Sequence, residues 1–251
     1  MTWPVVRWDQ VRTISSIALR QADTEALTTF GIEPLQLMEV AGWQVARFVD
    51  AFMDGVRGKR AAVVAGSGNN GGDALVAARF LLQRGAMLSA SIVPSRDPNS
   101  LAARQALTIR RLGIPILDAP QGIDPSADVV IDGLFGTGIR LPLRDPAPAI
   151  IEAINATGRP IVAIDVPSGM DADTGMGADA AVRAAATLTL VAPKAGLAGA
   201  SNAGRVFVAD IGMPVALLGA DREALAALYA VGDLVELVAP ELNSARDVTA
   251  S

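Results

Sequence analysis

The chain has 251 residues, 51% hydrophobic and 19% charged, with a formal net charge of −5. This is the composition of a folded chain, and its acidic balance argues against a nucleic-acid surface. It contains no cysteine and no histidine, which excludes disulfides, thiolate or imidazole metal sites and Ser-His-Asp catalysis, and leaves proton transfer to Asp, Glu, Lys, Tyr229 or water. No apolar run reaches the roughly 18–20 residues of a membrane span. The N-terminus lacks a signal-peptide pattern, so a cytoplasmic protein with no membrane partner is expected.

Two helical patterns come first. Asp9 is the expected cap of one that continues through Leu19 and Ala26. The other runs from about Glu33 to Met53, with Leu35, Met38, Val45 and Phe48 at helical spacing. Gly31 between them reads as a helix stop. From Arg60 onward strands alternate with helices. Strands are expected at 61–65, 87–93, 128–132, 160–165, 186–191 and 205–209, and helices at 72–84, 99–112 and 146–157. Gly85 closes the first of these helices and Pro146 opens the last. A further helical segment is expected at about 222–240. The strands are mostly continuous apolar runs, as when both faces are covered. The order predicts an α/β fold: a Rossmann-like, doubly wound, mostly parallel sheet with helices on both faces and an N-terminal helical extension. Without repeats or a linker, residues 1–251 read as one domain, with N-terminal helices at about 9–54, a sheet core at about 60–215 and a helical tail at about 216–251.

Four tracts fall at carboxyl ends of strands, where open α/β sheets bind ligands. In Gly66-Ser67-Gly68-Asn69-Asn70-Gly71-Gly72-Asp73, glycines at a strand-to-helix turn let backbone N–H groups approach a ligand, and the following helix start favours an anion. Gly66, Gly68 and Gly71 match the dinucleotide spacing, but the acidic ribose partner expected downstream is not clean, and no Gly-Lys-Ser/Thr follows for a P-loop. Asp132-Gly133-Leu134-Phe135-Gly136-Thr137-Gly138-Ile139-Arg140 pairs glycine amides with a guanidinium, a phosphate clamp. Asp165-Val166-Pro167-Ser168-Gly169 and Ala192-Pro193-Lys194-Ala195-Gly196-Leu197 complete the set. Taken singly, Asp132 and Asp165 also read as turn caps and Lys194 as a solvated lysine. Their coincidence at strand ends brings Asp73, Asp132, Asp165, Arg140 and Lys194 to one crevice suited to a phosphate-bearing small molecule. Oxygens of Asn70, Asp132 and Ser168 suit a hard cation, a monovalent ion better than a transition metal.

These tracts resemble the NAD(P)H-hydrate epimerase family, also described as the YjeF N-terminal domain family. Gly68-Asn69-Asn70-Gly71-Gly72-Asp73 with Leu75-Val76-Ala77-Ala78-Arg79 is the most specific likeness. The three later tracts follow in the family's order, and Leu37-Met38-Glu39-Val40-Ala41-Gly42 is similar to its N-terminal signature. The resemblance covers roughly residues 10–215. It implies a Rossmann-like fold, usually a homodimer, that interconverts the R and S forms of hydrated NADH or NADPH (NADHX and NADPHX). A partner NAD(P)H-hydrate dehydratase then acts on one epimer. By matching positions it implies substrate binding by Asn69, Asn70, Gly71, Gly72, Asp73, Gly136, Thr137, Gly138, Ile139, Arg140, Leu141, Pro142 and Asp165. It implies potassium (K⁺) at Asn70, Asp132 and Ser168.

Chemically, Asp165 is the expected general acid and base at C6 of the ring, with Lys194 positioning water or tuning it. Arg96 is a candidate partner for a 2′-phosphate. Phe80 stands where relatives often have His or Asn, and is expected to face packing. Leu35, Met38 and Trp43 offer either a dimer face or a cover for the sheet. Many bacterial relatives continue into a dehydratase domain, so this chain is expected to be a standalone epimerase or a separated half. Two other readings stay open: a non-catalytic sensing or scaffold module of the same fold, and a dehydrogenase. The absence of histidine and of a Tyr-x-x-x-Lys pair opposes the second.

Overall fold

A computed structural model describes residues 2–240 apart from 118, 120, 121, 178 and 179. Along the chain come β1 (Val5–Arg7), α1 (Ser16–Phe30), α2 (Pro34–Phe52), β2 (Arg60–Ala65), α3 (Asn69–Gln83), β3 (Met87–Ile92), α4 (Leu101–Arg111) and β4 (Ile116–Leu117). Then follow β5 (Val129–Gly133), α5 (Ala147–Ala156), β6 (Ile161–Ile164), β7 (Ala186–Leu190), β8 (Arg205–Ala209), α6 (Arg222–Val231) and β9 (Leu234–Val238). The strands form one sheet in the order β1-β9-β8-β7-β6-β5-β2-β3-β4. Every neighbouring pair is parallel except β8 and β9.

Side chains alternate between two cores, as strand geometry requires. Ala61, Val63, Ala65, Val129 and Ile131 share one core with α1, α2, α3, α4 and α6. Ala62, Val64 and Val130 face the other, which is closed by Ile150, Ile151 and Ile154 of α5. The chain leaves β2 toward β3 on one side and β5 toward β6 on the other. The gap between β2 and β5 is therefore the topological switch point, where a ligand crevice is expected.

The six expected central strands are present, and the ends of the chain differ from expectation. Asp9 lies in a short 3-10 turn, and Ser15 caps α1 by accepting the Ala18 N–H at 3.2 Å. The expected helix at 222–240 stops at Val231, and residues 234–238 form β9, inserted between β1 and β8. Gly232 adopts an extended conformation that breaks the helix. Glu236 then pairs with Arg205 of β8 at 2.7 Å. The expected tail beyond residue 240 lies outside the described residues. Among those residues no helix is long and apolar enough to cross a membrane.

The α2–α3 crossing explains two of the sequence tracts together. A Cβ on Gly72 would fall 2.4 Å from Met38 Cε, and one on Gly42 would fall 2.4 Å from Val76 Cγ1. Met38 and Gly42 are four residues apart on α2, as Gly72 and Val76 are on α3, so the two helices meet knob against gap. Glu39 and Arg79 form an ion pair across the same crossing. Phe80 meets Trp43 edge-on at 5.1 Å, so it faces packing as expected.

Candidate active site

A cavity of about 480 Å³ opens beside the switch point. Its floor comes from the segments after β2, β5, β6 and β7, and α1 and α2 form its far wall. Helix α3 begins at Asn69, earlier than the sequence pattern predicts, so Asn69, Asn70 and Gly71 form its first turn. Their amides lie ahead of the first helical bond, from Gly72 N–H to Gly68 O at 3.1 Å, and the helix dipole is positive there.

The glycines of these loops divide into two kinds. A Cβ on Gly66 would lie 1.9 Å from Leu134 O, and one on Gly71 would lie 1.9 Å from Gly66 O. The fold itself demands those two. Gly68 and Gly138 have nothing within 4 Å of the same position, and both line the cavity. Their missing side chains leave room for something outside the chain.

Asp165 and Lys194 meet in the cavity floor. Asp165 follows β6 at φ 69°, and Val191 follows β7 at φ 66°. A β-branched residue in that region is strained, and such strain concentrates at functional sites. Lys194 is 1% exposed, and its Nζ donates to Asp165 Oδ1 and, at 2.6 Å, to Leu190 O. Asp165 Oδ1 also accepts from Leu190 N–H at 3.3 Å, and Oδ2 accepts from Thr137 N–H at 3.3 Å. Every one of these partners is a donor, so the carboxylate is held as an acceptor, and the buried ammonium is paired as its burial requires.

Two further carboxylates line the cavity. Asp73, 7% exposed, accepts no hydrogen bond from the described residues. Burial pushes its carboxyl well above the usual carboxylate range, and the charges of Asp165 and Asp23 add to the effect. Asp23, on α1, keeps an exposed side at the cavity mouth; its partial desolvation and the charge of Asp165 raise its carboxyl, with Lys194 pulling the other way. Arg20 stands one turn before it on the same wall. Sequence reasoning passes over Arg20 and Asp23. The available signal is that they follow the buried Ser16 and Leu19 by four positions, at the margin of the helix's buried stripe.

Asp132 and Ser168 lie behind the cavity rather than on its surface, and both are fully buried. Ser168 donates its hydroxyl to Asp132 Oδ1 at 2.6 Å and its N–H to Oδ2 at 2.9 Å, while Leu134 N–H reaches Oδ1 at 3.2 Å. Burial raises the Asp132 carboxyl to about 6 against these bonds. Phe135 N–H donates to Ser168 Oγ at 2.8 Å, and Asn70 Nδ2 donates to Phe135 O at 2.8 Å and Ile164 O at 3.2 Å. The network thus ties the ends of β5 and β6 to the first turn of α3. Among the described residues no group of three carboxylates is arranged to hold a metal ion.

The remaining expected residues separate. Asn69, Asn70, Asp73, Gly136, Thr137, Gly138 and Ile139 line the cavity with Asp165 and Lys194. Gly71 and Gly72 are buried in α3 behind it. Arg140 is exposed and is not among the lining residues, and the same holds for Arg96. Leu141 and Pro142 line a different groove of about 980 Å³, beside α5.

Residues 34–196 match the family described as YjeF-related protein N-terminus. The chain is 36% identical over 218 residues to the bifunctional NAD(P)H-hydrate repair enzyme Nnr of Moorella thermoacetica, covering 82% of this chain and 41% of that protein. It therefore spans about two fifths of the length of such bifunctional relatives. It is 37% identical to the NAD(P)H-hydrate epimerase of Limosilactobacillus fermentum, covering 78% of this chain and 95% of that one. The crystal structure of yeast ynu0, YNL200c, superposes with a TM-score of 0.71 at 27% identity, over 79% of this chain and 88% of the yeast chain. With its matched region, its fold and relatives covered nearly end to end in agreement, the chain belongs to the YjeF-related protein N-terminus family.

Proposed function

We propose that the chain is an NAD(P)H-hydrate epimerase that interconverts the R and S forms of NADHX and NADPHX. The observation that carries this reading is the buried Asp165–Lys194 pair facing a cavity in which a second buried acid, Asp73, has its carboxyl raised. Two carboxyl groups with different surroundings can divide acid and base roles. The names of relatives covered over most of their length agree with the reading.

The pyrophosphate of the substrate lies on the amides at the start of α3 and on the Gly136–Ile139 segment. The hydrated ring points to the carboxylates. The acid role expected of Asp165 is assigned instead to Asp73, whose carboxyl is raised while Asp165 is surrounded by donors. Asp73 gives a proton to the C6 hydroxyl, which leaves as water while the ring nitrogen lone pair forms an iminium. Water then adds to the opposite face and passes a proton to Asp165. Exchange of that proton back to Asp73 through solvent closes the cycle. Lys194 holds Asp165 in place, and the nearby carboxylates favour the cationic intermediate.

Potassium is proposed at Asn70, Asp132 and Ser168. The groups meeting there are oxygens of Asp132, Ser168, Phe135 and Ile164 around the Asn70 amide, with a single formal negative charge. Such a set suits a hard monovalent ion. When bound, potassium supplies positive charge behind the pyrophosphate site. The proposal also includes a homodimer and a dehydratase as the enzyme that takes one epimer onward.

The test is epimer exchange of purified NADHX followed by chromatography, in potassium and in choline buffers. Exchange well above the spontaneous rate, faster in potassium, is expected. An Asp165→Asn variant should lose about 10²–10⁴-fold in rate. Wild-type exchange no faster than the spontaneous reaction would overturn the reading.

A further inference from the structure

The cavity wall carries more acid than base. Asp23, Asp73 and Asp165 line it, and the lining cations are Lys194 and Arg20. Lys194 is already committed: it is buried and donates to Asp165 and to Leu190 O. The Arg20 guanidinium makes no ion pair or hydrogen bond with the described residues. Arg140 and Arg96, which the sequence offers as phosphate partners, do not line the cavity. A dinucleotide brings two pyrophosphate charges into this acidic space. The amides of α3 supply partial positive charge from one side, and Arg20 is the uncommitted full charge on the facing wall.

Helix α1 is held so that this charge has a fixed place. The Asp173 carboxylate accepts from Ser16 N–H at 2.8 Å and from Ser16 Oγ at 2.7 Å. Ile14 N–H donates to Pro193 O at 3.0 Å, one residue before Lys194. Leu19, Ala22 and Ala26 bury the helix's inner face. The helix that carries Arg20 is thereby anchored to the segment that carries Lys194. Guanidinium geometry suits bidentate contact with phosphate oxygens.

We infer that Arg20 is the substrate-charge recognition residue of this site, binding the pyrophosphate of the dinucleotide from the α1 wall opposite the glycine loop. The inference rests on the epimerase reading and names the group that selects an anionic dinucleotide over an uncharged nicotinamide fragment. Arg20 is exposed, so Arg20→Gln should fold normally.

The experiment measures kcat and KM for NADHX with wild type, Arg20→Gln and Arg20→Lys, together with calorimetric binding of ADP-ribose as the non-reacting pyrophosphate probe. Loss of a charge-assisted contact should raise KM and the ADP-ribose Kd about tenfold or more in Arg20→Gln, with kcat within about twofold. Arg20→Lys should recover part of the loss, and the salt dependence of ADP-ribose binding should flatten in Arg20→Gln. Unchanged KM and Kd in Arg20→Gln would overturn the inference, as would a fall in kcat with Kd unchanged. Should wild type fail to exchange epimers, the epimerase reading fails. The ADP-ribose comparison still decides the role of Arg20.

Discussion

Replacing Ser168 with alanine removes one oxygen from the joint between the β5 and β6 ends. That oxygen donates to Asp132 Oδ1 at 2.6 Å and accepts from Phe135 N–H at 2.8 Å, with no exposure to water. Alanine leaves the Phe135 N–H without this partner, a cost of about 1–3 kcal/mol. It also deletes a hydrogen bond to a carboxylate, about 1.5–3 kcal/mol. Roughly 3–5 kcal/mol should therefore be lost, against a typical total of about 5–15 kcal/mol. For a chain of this size that lowers Tm by roughly 6–20 °C. The deficit should also depend on pH. The folded Asp132 carboxyl titrates at about 6, above the ordinary 3.8, so the folded state binds the extra proton. Asp132 then contributes its full stability below the unfolded value and loses it as pH rises through about 6. Ser168 chiefly supports the ionised form, so the variant's deficit should be larger near pH 8 than near pH 5. Urea unfolding in choline buffer, which avoids any potassium effect, measures both. A deficit below about 1 kcal/mol, or one equal at the two pH values, would refute the assignment of this network.

Lys194→Met should strand the Asp165 carboxylate and cost about 3–5 kcal/mol; the Asp165→Asn/Lys194→Met double variant should regain most of that in thermal melts without regaining epimer exchange. Gly71→Ala should destabilise the fold by roughly 1–3 kcal/mol, because its Cβ would sit 1.9 Å from Gly66 O. Gly138→Ala should melt within about 0.5 kcal/mol of wild type and weaken ADP-ribose binding in calorimetry, since only the cavity meets the added methyl. Asp173→Ala should lose about 1 kcal/mol with the α1 anchor. It should also raise KM with little change in kcat, through the loosened α1 wall.

The central sheet is legible because its strands of four to six residues are mostly apolar, broken only by an occasional Ser, Thr or terminal charge, and are punctuated by Gly and Pro. The edges are not. β4 has two residues and β1 three, too few for any periodicity to register. β9 reads Leu234-Val235-Glu236-Leu237-Val238 directly after a helix, and its apolar spacing also suits a further helical turn. Its state is decided by partners distant in sequence: Val5–Arg7 on one side and Val206–Ala209 on the other. Local preference yields to tertiary pairing at such positions.

The site divides along the same line. Turn chemistry marks the strand ends, since Asp, Gly and Pro occur there for reasons visible within a few residues. Asp73, Asp165, Lys194 and the Gly136–Ile139 segment are found that way, and they converge on one cavity. Sequence spacing does not separate the glycines that pack, such as Gly71, from those that clear space, such as Gly138, because the difference lies in atoms brought up from other segments. Arg20 and Asp23 are harder still. On α1 they are ordinary charged residues beside a buried stripe, and only the docking of that helix, through Ser16 to Asp173 and Ile14 to Pro193, brings them to the wall of the cavity that holds Asp165 and Lys194. A Rossmann-like sheet supplies reacting groups from its strand ends but leaves the far side of the crevice open. In this chain the N-terminal helices close it. Asp23 on that wall is coupled to the Asp165–Lys194 pair through its charge. Arg20 makes no hydrogen bond or ion pair with that pair among the described residues, which is why the inferred choice among anionic ligands is assigned to Arg20.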